Sequence, residues 1–283
     1  MRRYHFITGL PRSGSTLLAG ILLQNPRFHA GMSGPVASIV NSVMNASRNN
    51  EFSVFMTEEK TRRLVTSVFD AYYEDADPAE VIFDTSRQWS AQLSLIGAIA
   101  PEAKVIACVR NPAWILDSIE RLVRKNPFQR SRMFKSDQER ATVYSRADAL
   151  ARQDRLIGYA WSALREAYHS EAAGRLLLVD YDILCQRPKD TLGLIYGFID
   201  EPMFEHDFDA VEYSANEFDR RLDTDGLHTV KRKVEFTPRQ TVLPPDIFQR
   251  FADLVFWQKE AGSLANRIVA QKPTAGSDTG ADR

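Results

Sequence analysis

Residues 4–23, YHFITGLPRSGSTLLAGILL, constrain the fold more than any other stretch of the chain. A short apolar run (His5, Phe6, Ile7, Thr8) enters a turn bounded by Gly9 and Gly14, with Pro11 and Arg12 between them. An apolar helical pattern begins directly behind the turn. Strand, glycine-bearing turn and helix N-terminus, in that order, make a cradle for an anion. Successive backbone N–H groups point into the turn, and the helix dipole adds partial positive charge. Strand signals recur at residues 4–8, 81–83, 104–109 and 175–179, with helical patterns between them. That alternation predicts an α/β fold, a parallel central sheet flanked by helices. Ligands of such sheets bind at the carboxyl ends of the strands. Arg12, Asp84, Arg110 and Asp180 all fall there.

The spacing Gly9-x4-Gly14, followed by Ser15 and Thr16, nearly completes the phosphate-loop pattern G-x-x-x-x-G-K-[ST]. Ser15 stands where the lysine belongs. A nucleoside triphosphatase sets that lysine on the β- and γ-phosphates, with magnesium on the next hydroxyl. Here the fixed cation lies in the loop as Arg12, and two hydroxyls open the helix. Such a loop suits an anion of lower charge that needs no metal. A second element lies at residues 104–123, KVIACVRNPAWILDSIERLV. The apolar run 105–109 reads as a strand buried on both faces. Arg110 sits at its end, and Pro112 opens a helix at a position where its missing N–H is harmless. Ser118 lies two helical turns in. A strand-end guanidinium and a helix hydroxyl are thus set to converge on one group, and the planar fork of Arg suits phosphate.

Residues 10–18 resemble the 5′-phosphosulfate loop of sulfotransferases that use 3′-phosphoadenosine-5′-phosphosulfate (PAPS). The family form P-[RK]-[ST]-G-[ST]-[ST] is matched at every position from Pro11 to Thr16. Residues 104–123 resemble that family's 3′-phosphate element, an Arg after the strand and a Ser eight residues on. Residues 176–182, LLLVDYD, resemble its late strand ending in Tyr-Glu-Asp. The resemblance covers most of residues 4–200 and implies a P-loop NTPase-like sulfotransferase fold. It also implies sulfuryl transfer from PAPS, as co-substrate, to a hydroxyl or amine, without a metal, releasing the desulfated product PAP. By position, the nucleotide would meet Arg12, Ser13, Gly14, Ser15, Thr16, Arg110, Ser118 and Tyr181. Lys231 and Arg232, in the basic run 226–233, would close over the 3′-phosphate. Arg12 would also stabilise charge on the leaving 5′-phosphate.

The general base departs from the family pattern. Tyrosylprotein sulfotransferases place a Glu shortly after the first helix, whereas residues 25–34 here, NPRFHAGMSG, hold no carboxylate. Many relatives carry Asp-Lys after the second strand; this chain has Asp84-Thr85-Ser86-Arg87, where Arg87 takes the lysine's role or nothing does. The base candidates, in order, are His29, Asp84 and His228. Two other readings stay open beside the enzyme: a magnesium-dependent P-loop kinase or nucleotidase, supported by the glycine spacing and Asp180, and a non-catalytic module that binds PAP or PAPS.

A chain of 283 residues with 44% hydrophobic and 26% charged residues suits a single globular domain, expected over residues 1–270, with 271–283 as a disordered tail. The net charge of −1 gives no global attraction to nucleic acid or an anionic membrane. Cys108 and Cys185 lie in apolar context and begin no metal pattern, and no apolar run is long enough for a leader or a span. A cytoplasmic protein is expected, acting on a small-molecule, carbohydrate or peptide acceptor, with neither nucleic acid nor membrane as partner and with its oligomeric state unspecified. Helices are expected at 35–47 and 57–73, a long helical stretch at 136–170 broken near Gly158, irregular chain at 201–224, and a final helix at 245–268. The basic run 121–140 reads either as a solvated helix end and loop or as a cap over an anionic substrate or cofactor.

Overall fold

β1 (Arg3–Gly9) lies third in a six-stranded, all-parallel sheet. The others are β2 (Phe28–Ala30), β3 (Val81–Thr85), β4 (Val105–Val109), β5 (Leu176–Asp180) and β6 (Asn266–Ile268), in the spatial order β2-β3-β1-β4-β5-β6. The computed structural model describes residues 2–48, 51–76, 79–128, 131–213, 230 and 232–270.

Side chains alternate across the strands, so each strand feeds two cores. Phe6, Ile82, Val105, Ala107 and Leu178 face one helical layer, and Ile7, Phe83, Ile106, Cys108 and Val179 face the other. The first layer contains α2 (Val36–Arg48), α3 (Glu58–Tyr72), α4 (Leu93–Ile99), α5 (Pro112–Lys125), α7 (Val143–Ala151) and α8 (Leu156–His169), with the short α6 (Asp137–Ala141) leading into α7. The second contains α1 (Ser15–Leu22), α9 (Tyr181–Gln186) and α10 (Pro188–Ile199). Strand register aligns the carboxyl ends: Gly9 pairs with Cys108, Ile7 with Thr85 and Val109 with Asp180. The loops after β1, β3, β4 and β5 therefore leave the sheet at one edge.

The parallel sheet and the helices on both faces agree with the sequence reading, and so do α2 and α3. The Thr57 side chain caps α3 by accepting from the Lys60 N–H at 3.2 Å. The stretch 136–170 is three helices rather than one. Thr142 and Ser145 form a capping box that starts α7, and the chain breaks again at Arg152 to Arg155. Gly158 lies inside α8, where a Cβ would stand 2.2 Å from the Arg152 carbonyl oxygen. The expected final helix at 245–268 is corrected to α11 (Pro245–Ala252), α12 (Phe256–Lys259) and β6. After α12 the chain passes Gly262 at φ 84° and gains the parallel ladder with β5 in place of further helical bonds. The expected tail, residues 271–283, lies outside the described residues, as does most of 201–224 beyond Tyr213. No helix among the described residues is long and apolar enough to cross a membrane.

Candidate functional site

Past Gly9 the chain must turn hard against β4. Gly9 has φ 115°, and a Cβ there would stand 2.1 Å from the Cys108 carbonyl oxygen. Only a residue without a side chain fits. Gly14, the N-cap of α1, has φ 90°, and a Cβ there would meet the Tyr181 ring at 2.6 Å. Between them Arg12 adopts φ 57°, a left-handed conformation that costs a non-glycine residue on the order of 1 kcal/mol or more. Strained backbone of this kind gathers at ligand-binding loops.

This loop forms one wall of a cavity of about 670 Å³ at the carboxyl edge of the sheet. Gly9 to Arg12 and Gly14 to Leu17 line it, together with Arg110, Ser118 and Tyr181. Arg12 donates from Nε to the Ser118 hydroxyl at 3.2 Å, so the first phosphate-loop arginine touches the helix expected to hold the far end of a nucleotide. Arg110 lies with its guanidinium 4.3 Å from the centroid of the Tyr181 ring. Its Nη2 is a loose 3.7 Å from Asp182, and its buried Nε has no hydrogen-bond partner among the described residues. A buried donor without an acceptor is costly. Burial pushes the Tyr181 hydroxyl up to about 12, so the ring is a neutral stacking surface. Ser13 differs from its neighbours: it is buried, does not line the cavity, and turns its hydroxyl to the Pro11 carbonyl at 3.3 Å.

Opposite α5 a late segment is tied down by one carboxylate. Asp117 is fully buried and precedes Ser118. Its Oδ1 accepts from the Val242 N–H at 2.7 Å and the Thr241 hydroxyl at 3.1 Å. Its Oδ2 pairs with Arg121 at 2.9 Å and Arg239 at 2.9 Å. Arg239 also lies over Trp114 and lines the cavity. Lys231 lies outside the described residues, as does His228. Arg232 is exposed, pairs with Glu212 at 3.3 Å and does not line the cavity, whereas Lys233 does. The residues of this segment that reach the cavity include Lys233 and Arg239, neither of which the sequence reading named as a site residue. Nothing local marks Arg239, because its placement comes from a contact more than a hundred positions away.

Neither first-ranked base candidate reaches the cavity. Asp84 is buried in the core of the first helical layer, where it accepts from the Tyr73 hydroxyl at 2.5 Å and the Trp89 indole at 2.6 Å. Desolvation holds its carboxyl above the usual range. His29 sits in β2 with its ring against Tyr73, centroids 5.4 Å apart. Asp180, the acid that a magnesium site would use, caps α9 by accepting from the Asp182 N–H at 2.9 Å. Among the described residues no cluster of His, Cys, Asp or Glu is arranged to hold a metal ion. Asp154 and Glu235 are the carboxylates that line the cavity there.

The family model described as "Sulfotransferase family" matches residues 5–206. No curated protein matches the chain. Among solved structures, the sulfotransferase domain from the Synechococcus PCC 7002 olefin synthase aligns with TM-score 0.46 and 16% identity, covering 89% of this chain and 94% of that one. The sulfotransferase domain from the curacin biosynthetic pathway aligns with TM-score 0.49 and 13% identity, covering 90% and 92%. Sulfotransferase STF9 from Mycobacterium avium aligns with TM-score 0.47 and 13% identity, covering 94% and 79%. On the family match, which begins in the first strand and runs past β5 and α10, the chain belongs to the sulfotransferase family and is a sulfuryl-transferring enzyme.

Proposed function

We propose that the sulfuryl donor is PAPS and that the acceptor is a small molecule, carbohydrate or peptide carrying a hydroxyl or amine. The observation that supports this most is the meeting of two phosphate-binding elements in one cavity, bridged by the Arg12–Ser118 hydrogen bond. A volume of about 670 Å³ suits a nucleotide and part of an acceptor. In this reading the N–H groups of Ser13 to Thr16 and the Arg12 side chain hold the 5′-phosphosulfate. Arg110, Ser118 and Arg239 hold the 3′-phosphate, and Tyr181 supports the nucleoside. The orphaned Arg110 Nε gains its acceptor when the 3′-phosphate arrives.

The acceptor oxygen attacks sulfur as the bond from sulfur to the 5′-phosphate oxygen breaks. Negative charge then grows on the leaving phosphate. Backbone N–H groups and a guanidinium already aimed at that position stabilise it without reorganising. The acceptor's proton goes to a carboxylate on the cavity wall, for which Asp154, paired with Arg152 at 3.5 Å, is the candidate.

Isothermal titration with PAP tests the reading. PAP should bind, and Arg110→Ala should weaken PAP by about 2–5 kcal/mol while leaving adenosine 5′-phosphosulfate, which lacks the 3′-phosphate, much less affected. Absence of PAP binding at millimolar concentration rules the reading out. Equal losses for the two ligands would remove Arg110 from the 3′-phosphate site.

A further inference from the structure

The strand order divides the cavity. β1 supplies the phosphate loop. On one side of it, β4 and β5 deliver Arg110 and Tyr181; on the other, β3 and β2 deliver Thr85, Ser86, Arg87 and Ser33. A donor nucleotide that spans the loop and Arg110 occupies the first half. The second half is left for the acceptor.

That half is lined by cations. Arg87 follows β3, and Arg132, Lys135 and Arg155 come from the long connection between β4 and β5. Arg155 immediately precedes α8, and α8 packs on the short helix Arg87–Gln92, which sets Arg155 on the Arg87 side of the sheet. Three of these side chains differ from the other basic residues around the cavity. Arg239 is neutralised by Asp117 and Lys233 by Asp209, at 2.9 Å and 3.1 Å. Among the described residues no carboxylate pairs with Arg87, Arg132 or Lys135. Arg155 is only 5% exposed in its side chain. Its Nη2 is held by Glu139 at 2.6 Å and the Met133 carbonyl at 3.1 Å, while its Nη1 has no hydrogen-bond partner among the described residues. One arm is thus fixed by the protein, and the other is buried at the cavity wall with its donor capacity unspent. Burying a guanidinium nitrogen without an acceptor is unfavourable unless a ligand supplies one.

We infer that the acceptor itself is an anion: a hydroxy compound whose carboxylate or phosphate is held by Arg155, Arg87, Lys135 and Arg132. The inference rests on the sulfotransferase reading above and adds the acceptor's charge. The anionic group would anchor the far end of the acceptor and leave its hydroxyl pointing at the donor half, so the cations act by positioning and by long-range attraction.

The test uses the full chain saturated with PAP and matched pairs of hydroxy compounds differing only in an acid and its amide: 4-hydroxybenzoate and 4-hydroxybenzamide, 4-hydroxyphenylacetate and its amide, 3-hydroxybutyrate and its amide. Binding is read by titration calorimetry and transfer by labelled PAPS. At least one acid should bind about tenfold or more tighter than its amide, the size expected of a charge-assisted contact. Arg87→Ala and Lys135→Ala, both at exposed positions, should each erase several-fold of that preference and leave PAP affinity within about twofold. Arg155→Gln should do the same where its melting temperature shows that it folds. Acid and amide binding equally, or no acid binding at about 10 mM, overturns the inference. So does a loss of PAP affinity in the Arg87 and Lys135 variants, which would assign these cations to the donor. PAP titrated alone reports on the donor reading separately: if PAP binds while acids and amides are treated alike, only the acceptor inference falls.

Discussion

Gly14 concentrates two demands in one residue. It holds φ 90°, and its missing side chain lets the Tyr181 ring approach closely. Gly14→Ala meets both penalties at once, a strained backbone and a ring that must shift. We expect a loss of about 1–3 kcal/mol in stability and at least tenfold in PAP affinity. A variant that melts and binds PAP like the parent would show that the loop tolerates a Cβ. Asp154 poses a chemical question. Asp154→Asn should leave PAP affinity unchanged and lower kcat by about 100-fold or more if its carboxylate takes the acceptor's proton. An unchanged kcat would move the base elsewhere, with Glu235 the other carboxylate on the wall. At this scale the sequence was most readable where a residue's placement is local. Gly9, Arg12, Gly14, Arg110 and Ser118 each stand within a few positions of the strand or helix that aims them. His29 and Asp84 are polar residues near strand ends, and nothing in their neighbours reveals that Tyr73 and Trp89 close over Asp84.

Among the elements, α5 does the most. Its N-terminal end carries the turn from Arg110, its second turn presents Ser118, and between them Asp117 gathers the 239–242 segment. Asp117→Asn keeps an oxygen for the Val242 N–H but removes the charge that holds Arg239 and Arg121. PAP affinity should fall about tenfold. The double variant with Arg239→Ala should be no weaker than Arg239→Ala alone, because Asp117 acts through that arginine. Additive losses would mean that Asp117 serves α5 and not the late segment. Strands β1, β3, β4 and β5 were legible because each is an apolar run buried on both faces. β2 and β6 are three-residue edge strands, too short to show a period. Asn266 to Ile268 reads as a continuation of the preceding helical pattern until β5 offers its open edge.

For the whole molecule, acid stability has a definite sign. His5 is buried in β1, where its Nδ1 accepts the Lys104 N–H at 3.1 Å. Burial lowers its pKa to about 4, below the 6.5 of an exposed imidazole. The unfolded chain therefore takes up a proton that the folded chain refuses. Stability is fully present above about pH 6.5 and is lost as pH falls toward 4, by on the order of 3 kcal/mol. Burial lowers His29 and His206 in the same direction, while Asp180, raised to about 6, acts with the opposite sign. The test is therefore a difference. His5→Asn keeps an acceptor for Lys104 but does not titrate, so its urea-unfolding free energy should fall less than the parent's between about pH 7 and about pH 4. Parallel slopes for the two proteins would remove His5 from the account. Placing β1 in the interior of the sheet has a further result. In the proposed arrangement the nucleotide is gripped from β1, β4 and β5, whereas Ser33 and Arg87 follow β2 and β3, so the loops behind those two strands can vary without disturbing the donor's grip. Exchanging the loops after Ala30 and Thr85 for those of another such enzyme should change which compound is sulfated and leave the donor's fit intact.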